Sequence, residues 1–243
     1  MVSIARRLSR DVETLRFRSP VACVYNPLDY GWAAHRQYLE RFARPSIEVL
    51  FLGMNPGPFG MVQTGVPFGE VASVRDFLGI EAKIKKPAFE HPKRPIEGFA
   101  CPRSEVSGRR VWGWVRDRFG TPDEFFDRFF VCNWCPLAFL VESGANLVPE
   151  KLVPSERQQL EAMCDASLVE VVNELKPAIV VGFGTFAAAR ARIALGNDGP
   201  RIGKVLHPSP GSPAANRGWV PAVERGLLEL GIELGTASRV RSS

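Results

Sequence analysis

The 243-residue chain has no apolar run approaching the roughly 18 residues a membrane helix needs, so no membrane span is expected. Its first 17 residues carry Arg6, Arg7, Arg10, Asp11 and Glu13 and lack an apolar signal core. Secretion is therefore not expected, and the segment reads as an amphipathic helix or an arm. Cysteine is scarce: Cys23, Cys101, Cys132, Cys135 and Cys164 are odd in number and scattered. Such a set does not fit a disulfide framework. Cys132 and Cys135 form a lone CxxC, but the three histidines lie far away in sequence. A zinc or iron–sulfur site would lack its remaining ligands, so no metal and no other cofactor is expected. A reduced cytoplasmic or nuclear setting is the default expectation.

Nucleotide signatures are missing as well. Gly53, Gly57 and Gly60 are spaced GxxxGxxG, which is neither GxGxxG nor GxxxxGK followed by Ser or Thr. Pro56 and Pro58 also remove two backbone donors from any phosphate nest. Ser209 stands near His207, but no GxSxG elbow exists, which disfavours a serine hydrolase. Internal repeats and low-complexity blocks are absent.

What is present supports one globular unit. The 45% hydrophobic content is enough for one substantial core. A single domain over 1–243 is expected, with 1–20 as an N-terminal helix or arm and 236–243 as a flexible tail. Lys and Arg exceed Asp and Glu by 31 to 26. The excess is local: ten basic against four acidic residues over 83–118, and three against none over 201–217. Clustered charge is better evidence of a phosphate-binding face than the total, although a solvated surface explains it equally well.

Four short apolar runs, 47–52, 129–132, 178–181 and 202–206, each lead into loop-forming residues. The first three are continuous and rich in Val, Ile and Phe, as strands buried on both faces are. Helical stretches fall at 31–42, 107–118, 122–128, 155–175, 183–195 and 214–230. Ser155 is placed to cap the longest of them and Gly196 follows the fifth. The alternation predicts an α/β fold: a three-layer α/β/α sandwich around a short, mainly parallel four-stranded sheet. The segment 79–107, rich in Pro, Gly and Lys, reads as irregular surface structure.

Open parallel sheets bind ligands beyond the carboxyl ends of their strands. Asn55 follows the first strand, Asn133 the second and His207 the fourth. Two amides and an imidazole then form a polar cluster without a carboxylate.

Three motifs, in order, carry a specific resemblance. They are GMNPGPFGMVQTGVPFGE at 53–70, NWCPL at 133–137 and HPSPGSPAANRGW at 207–219. With NPLDY at 26–30 and HPKRP at 91–95, they resemble the single-strand-selective monofunctional uracil-DNA glycosylases over about residues 25–234. The resemblance implies a parallel α/β/α sandwich and a repair enzyme that hydrolyses the glycosidic bond of uracil in DNA. Its substrates would include C5-modified uracils such as 5-hydroxymethyluracil, in single- and double-stranded DNA. It also implies a partner, DNA, and a chain acting as a monomer.

Residue by residue, Phe68 matches the aromatic that stacks on the extruded base. Asn133 matches the reader of the uracil edge, its amide donating to O4 and accepting from N3–H. His207 matches the histidine that donates to O2 as charge moves onto the departing base. Asn55 matches the holder of the attacking water, an amide rather than a strong base, which fits a dissociative reaction. Met54 and Gly57 match the positions that line the C5 side of the pocket. Ser209, Pro210, Gly211, Ser212 and Arg217 lie on the loop and short helix that wedge into the duplex. Gly211 departs from the pattern, since vertebrate members have a large basic residue there. No lysine occurs in the first or third motif, and Lys204 sits on the preceding strand. Lyase chemistry needs a poised amine, so a monofunctional enzyme is expected. Two readings compete: a damage-binding module that does not cleave, and a hydrolase of free nucleosides, which would not need the basic stretches.

Overall fold

The computed structural model describes residues 1–235; the tail expected at 236–243 lies outside the described residues. The strands are β1 (Val21–Tyr25), β2 (Val49–Gly53), β3 (Phe129–Asn133), β4 (Ala138–Val141), β5 (Asn146–Leu147), β6 (Ile179–Phe183) and β7 (Arg201–Val205). The helices are α1 (Val2–Glu13), α2 (Pro27–Tyr30), α3 (Trp32–Phe42), α4 (Met61–Thr64), α5 (Val106–Phe119), α6 (Pro122–Phe126), α7 (Pro154–Leu175), α8 (Gly184–Leu195), α9 (Pro213–Asn216) and α10 (Trp219–Glu229). No described helix is long and apolar enough to cross a membrane.

Four strands form the expected parallel sheet, in the order β3-β2-β6-β7. Every residue of β2 and β6, the two central strands, is buried, so both faces are covered. That is why these strands read as continuous apolar runs rather than alternating ones. The aromatic core connects the sheet to its carboxyl edge. Phe51 stacks on Phe183 with centroids 5.3 Å apart, and Phe183 meets the edge of Phe68 at 5.3 Å.

A second sheet was not expected. β1, β4 and β5 form an antiparallel sheet in the order β1-β4-β5. Its strands have two to five residues and follow loops closely, leaving too little periodicity to read from sequence. Two helix readings need correction. Ser155 does not cap α7: the helix begins at Pro154 after Val153, with no side-chain cap. Proline at the first helical position already has the helical φ and lacks the N–H that a cap would satisfy. The stretch 214–230 is two helices, α9 and α10, because Gly218 at φ 143° turns the chain between them.

The motifs at 26–30 and 91–95 tie the scaffold together. Asn26 accepts from the Leu28 N–H and so caps α2; its Nδ2 donates to Ser9 O at 3.1 Å and to Glu13 Oε1 at 2.8 Å, tethering α1. The Tyr25 hydroxyl donates to Arg94 O at 2.6 Å and accepts from the His91 N–H at 2.8 Å, pinning the 91–95 turn against β1.

Candidate active site

The parallel register sets Gly53 beside Asn133 and Phe183 beside Val205. The loops that follow β2, β3 and β7 therefore open on one edge. There they enclose a cleft of about 490 Å³. Asn55, Phe68, Asn133 and His207 all line it, with Met54 and Gly57. Ser209 and Pro210 reach its wall. Gly211, Ser212 and Arg217 do not line it; they lie on the exposed loop and at the end of α9.

Phe68 is 8% exposed and holds a left-handed backbone, φ 52°. For a bulky residue this costs on the order of 1–3 kcal/mol, and it persists only where the surroundings enforce it. They do so here. Trp112 Nε1 donates to Pro67 O at 3.3 Å, the Glu70 N–H to Phe68 O at 2.8 Å, and the Thr64 hydroxyl to Gly69 O at 2.9 Å. Gly53 lets the ring and the Asn133 amide approach the strand, because a Cβ there would collide with both.

Asn133 Nδ2 donates to Met61 Sδ at 3.3 Å. Thioether sulfur is a weak acceptor, so a carbonyl oxygen in the cleft competes well for that donor. Asn55 Nδ2 donates to Leu137 O at 3.2 Å, which orients the amide and leaves Oδ1 as its remaining acceptor. Trp134, next to Asn133, is anchored from below. Its Nε1 donates to Asp165 at 2.7 Å, and Arg190 pairs with the same carboxylate while lying over the indole at 5.2 Å.

His207 is held by its own loop. The Ser209 N–H donates to Nδ1 at 3.0 Å. An accepting Nδ1 fixes the neutral tautomer with the proton on Nε2. Burial lowers the imidazole pKa, which favours that neutral form. The loop is itself braced. Trp219 Nε1 donates to Leu206 O at 2.8 Å; Arg110 donates to Pro208 O and to Asn216 Oδ1, both at 2.8 Å; and Asn216 Nδ2 donates to Pro210 O at 2.8 Å.

Two expectations change. The cleft does contain a carboxylate, Glu105, which arrives from the start of α5 rather than from a strand end. Phe59 and Asn146, which no motif spacing marks, also line the cleft. Nothing in the spacing marks Glu105, one acid within a basic stretch. That stretch, moreover, is not a uniform phosphate face. Arg110 holds the His207 loop, Lys86 bonds Ile96 O and Glu90, and Arg118 pairs with Glu224. Arg103 and Arg94 instead sit on the Phe59 ring, 4.1 and 5.3 Å from its centroid, at the cleft wall.

A family model described as the uracil DNA glycosylase superfamily matches residues 40–220. The single-strand selective monofunctional uracil-DNA glycosylase of Rattus norvegicus is 52% identical over 228 residues, covering 93% of this chain and 82% of that protein. The chain belongs to the single-strand selective monofunctional uracil-DNA glycosylase family, within the uracil-DNA glycosylase superfamily. The Mus musculus and Bos taurus members are 51% and 49% identical, each aligned over 93% of this chain. The crystal structure of wild-type Pedobacter heparinus SMUG2 shares the fold, with a TM-score of 0.66 over 95% of this chain and 96% of that one at 15% identity. Within this glycosylase cleft no lysine is present among the described residues, and Lys204 is exposed on β7. The five cysteines are free thiols; burial pushes Cys132 up to about 12, so it stays protonated.

Proposed function

We propose that this monofunctional glycosylase hydrolyses the N-glycosidic bond of uracil, and of C5-modified uracils such as 5-hydroxymethyluracil, in single- and double-stranded DNA. The observation that carries the reading is the convergence of Asn55, Phe68, Asn133 and His207, from three separate motifs, on one cleft. A base in a duplex must leave the stack before this bond is accessible, and the cleft is where the flipped base is received. Phe68 stacks on it. Asn133 reads its edge, turning its donor from Met61 to O4 and accepting from N3–H; cytosine presents the opposite pattern and leaves buried groups unpaired. Met54 and Gly57 bound the C5 side.

Bond cleavage moves negative charge onto the base and positive charge onto the sugar. His207 donates from Nε2 to O2, where the negative charge appears, and does so as a neutral imidazole. Asn55 Oδ1 holds the water that captures the sugar after the base has largely departed. The absence of lysine from the cleft supports an intact abasic product. Ser209, Pro210, Gly211, Ser212 and Arg217 meet the DNA around the vacated position, and the chain acts as a monomer. The whole chain, 1–243, works as one glycosylase domain.

The test uses end-labelled DNA containing one uracil, single-stranded or opposite guanine or adenine. The strand is examined with and without hot alkali. Breakage only after alkali supports the proposal. Breakage without alkali would mean lyase activity, and an uncut strand would favour the binding-module reading.

A further inference from the structure

Glu105 is the only carboxylate that lines the cleft among the described residues, and the chemistry above does not use it. It immediately precedes α5 in an extended conformation and makes no helix-capping bond. Its carboxyl group lies instead against the turn at 56–60. A Cβ at either Gly57 or Gly60 would collide with the Glu105 oxygens, so the two glycines are the space it occupies. The Phe59 and Gly60 N–H groups face it and favour its charged form, although Oε2, fully buried, has no partner at hydrogen-bonding geometry. Other charged groups surround this point. The Glu70 carboxylate opposes ionisation. Arg103 lies on the Phe59 ring, Arg109 reaches Ser104 Oγ at 3.5 Å, and His207 lines the same cleft. Burial dominates and pushes the carboxyl pKa up to about 7, with Glu70 adding to the rise.

Shape alone does not account for a carboxyl group here. An uncharged isostere fills the same space without the cost of burying charge. Base departure leaves positive charge on the sugar, which an anion in the cleft wall favours. We propose that Glu105 is a positioning residue for base excision: its ionised carboxylate holds the 56–60 turn, and Asn55 at its root, in the reacting geometry, and protonation releases it. This inference rests on the excision reading.

The experiment measures single-turnover excision of uracil from a single-stranded oligonucleotide at saturating enzyme, from about pH 5.5 to about pH 9. The full-length wild type, Glu105→Gln, Glu105→Asp and His207→Asn are compared, and affinity is measured on the same oligonucleotide without uracil. The wild-type rate is expected to rise with pH through one ionisation near neutrality. Glu105→Gln should lose that ionisation and fall about tenfold or more at high pH, with affinity nearly unchanged. Glu105→Asp should recover part of the rate with a displaced ionisation. His207→Asn should be slower but should keep the ionisation. A Glu105→Gln enzyme with the wild-type rate and profile overturns the inference, and so does an equal loss at every pH, which marks packing alone. Should the Gln variant not fold, an Asp variant with the wild-type rate and profile overturns it equally. No excision by the wild type at any pH would instead refute the glycosylase reading itself.

Discussion

At the scale of single residues, the direction of each donor decides the chemistry. His207 is oriented by one backbone N–H, from Ser209, so its other nitrogen is a donor before any substrate arrives. A donor fixed in advance needs no reorganisation when charge develops, which is why one such group is worth about 10²–10³ in rate. His207→Ala should lower single-turnover excision by roughly that factor and leave DNA affinity nearly unchanged. Equal losses in rate and affinity would reduce His207 to a binding residue. Asn133→Asp puts an ionised acceptor where O4 needs a donor. Uracil excision should fall about ten- to hundredfold, the equivalent of one unpaired buried polar group. Undiminished activity would remove Asn133 as reader of the base edge.

At the scale of elements, the site depends on loops that the flanking helices brace. Arg110 on α5 bonds both Pro208 and Asn216, so one side chain joins that helix to the His207 loop and to α9. Arg110→Met keeps the stem and removes both bonds. It should cost roughly 1–3 kcal/mol of stability in denaturant titration and slow excision more than it weakens DNA binding. The loop tip behaves differently. A Cβ at Gly211 would meet only Ser209 Oγ, at 3.4 Å, so a side chain there enters open space. Gly211→Arg should raise the rate on duplex relative to single-stranded substrate by roughly two- to tenfold, since a wedge offsets the cost of unstacking. An unchanged ratio would show that this tip does not enter the duplex.

At the scale of the whole molecule, buried titratable groups connect the fold to pH. His35 on α3 is buried, and its Nδ1 bonds Gly65 O at 2.8 Å. Burial lowers its pKa from 6.5 to about 4. The unfolded chain therefore binds the extra proton. The stabilisation is complete above pH 6.5 and is lost as pH falls through about 4, roughly 3 kcal/mol in all. Glu105, with its raised pKa, acts in the opposite sense over part of the same range. The comparison of wild type with His35→Gln separates the two. Between about pH 7.5 and about pH 5 the two effects oppose each other in the wild type, so the denaturant midpoint should rise more on acidification in the variant, where only the Glu105 effect remains. An equal pH dependence in both would mean that His35 is not the group responsible.

The sequence by itself determined the parallel sheet, because β2 and β6 are buried on both faces and must be apolar throughout, and β3 is buried and apolar over its first three residues. It also determined which residues follow those strands, and with them the motifs that carry the family resemblance. The side sheet was not legible: β5 has two residues and exists only through its pairing with β4. The break at Gly218 was hidden because a helical spacing of apolar residues continues across it. Only the tertiary structure brought Glu105, about fifty residues beyond Asn55, against Gly57 and Gly60, and turned Arg110 from a surface charge into a brace. The reason is physical. Strand patterns are local and record burial directly, whereas a charged side chain looks the same in sequence whether water or a neighbouring loop surrounds it.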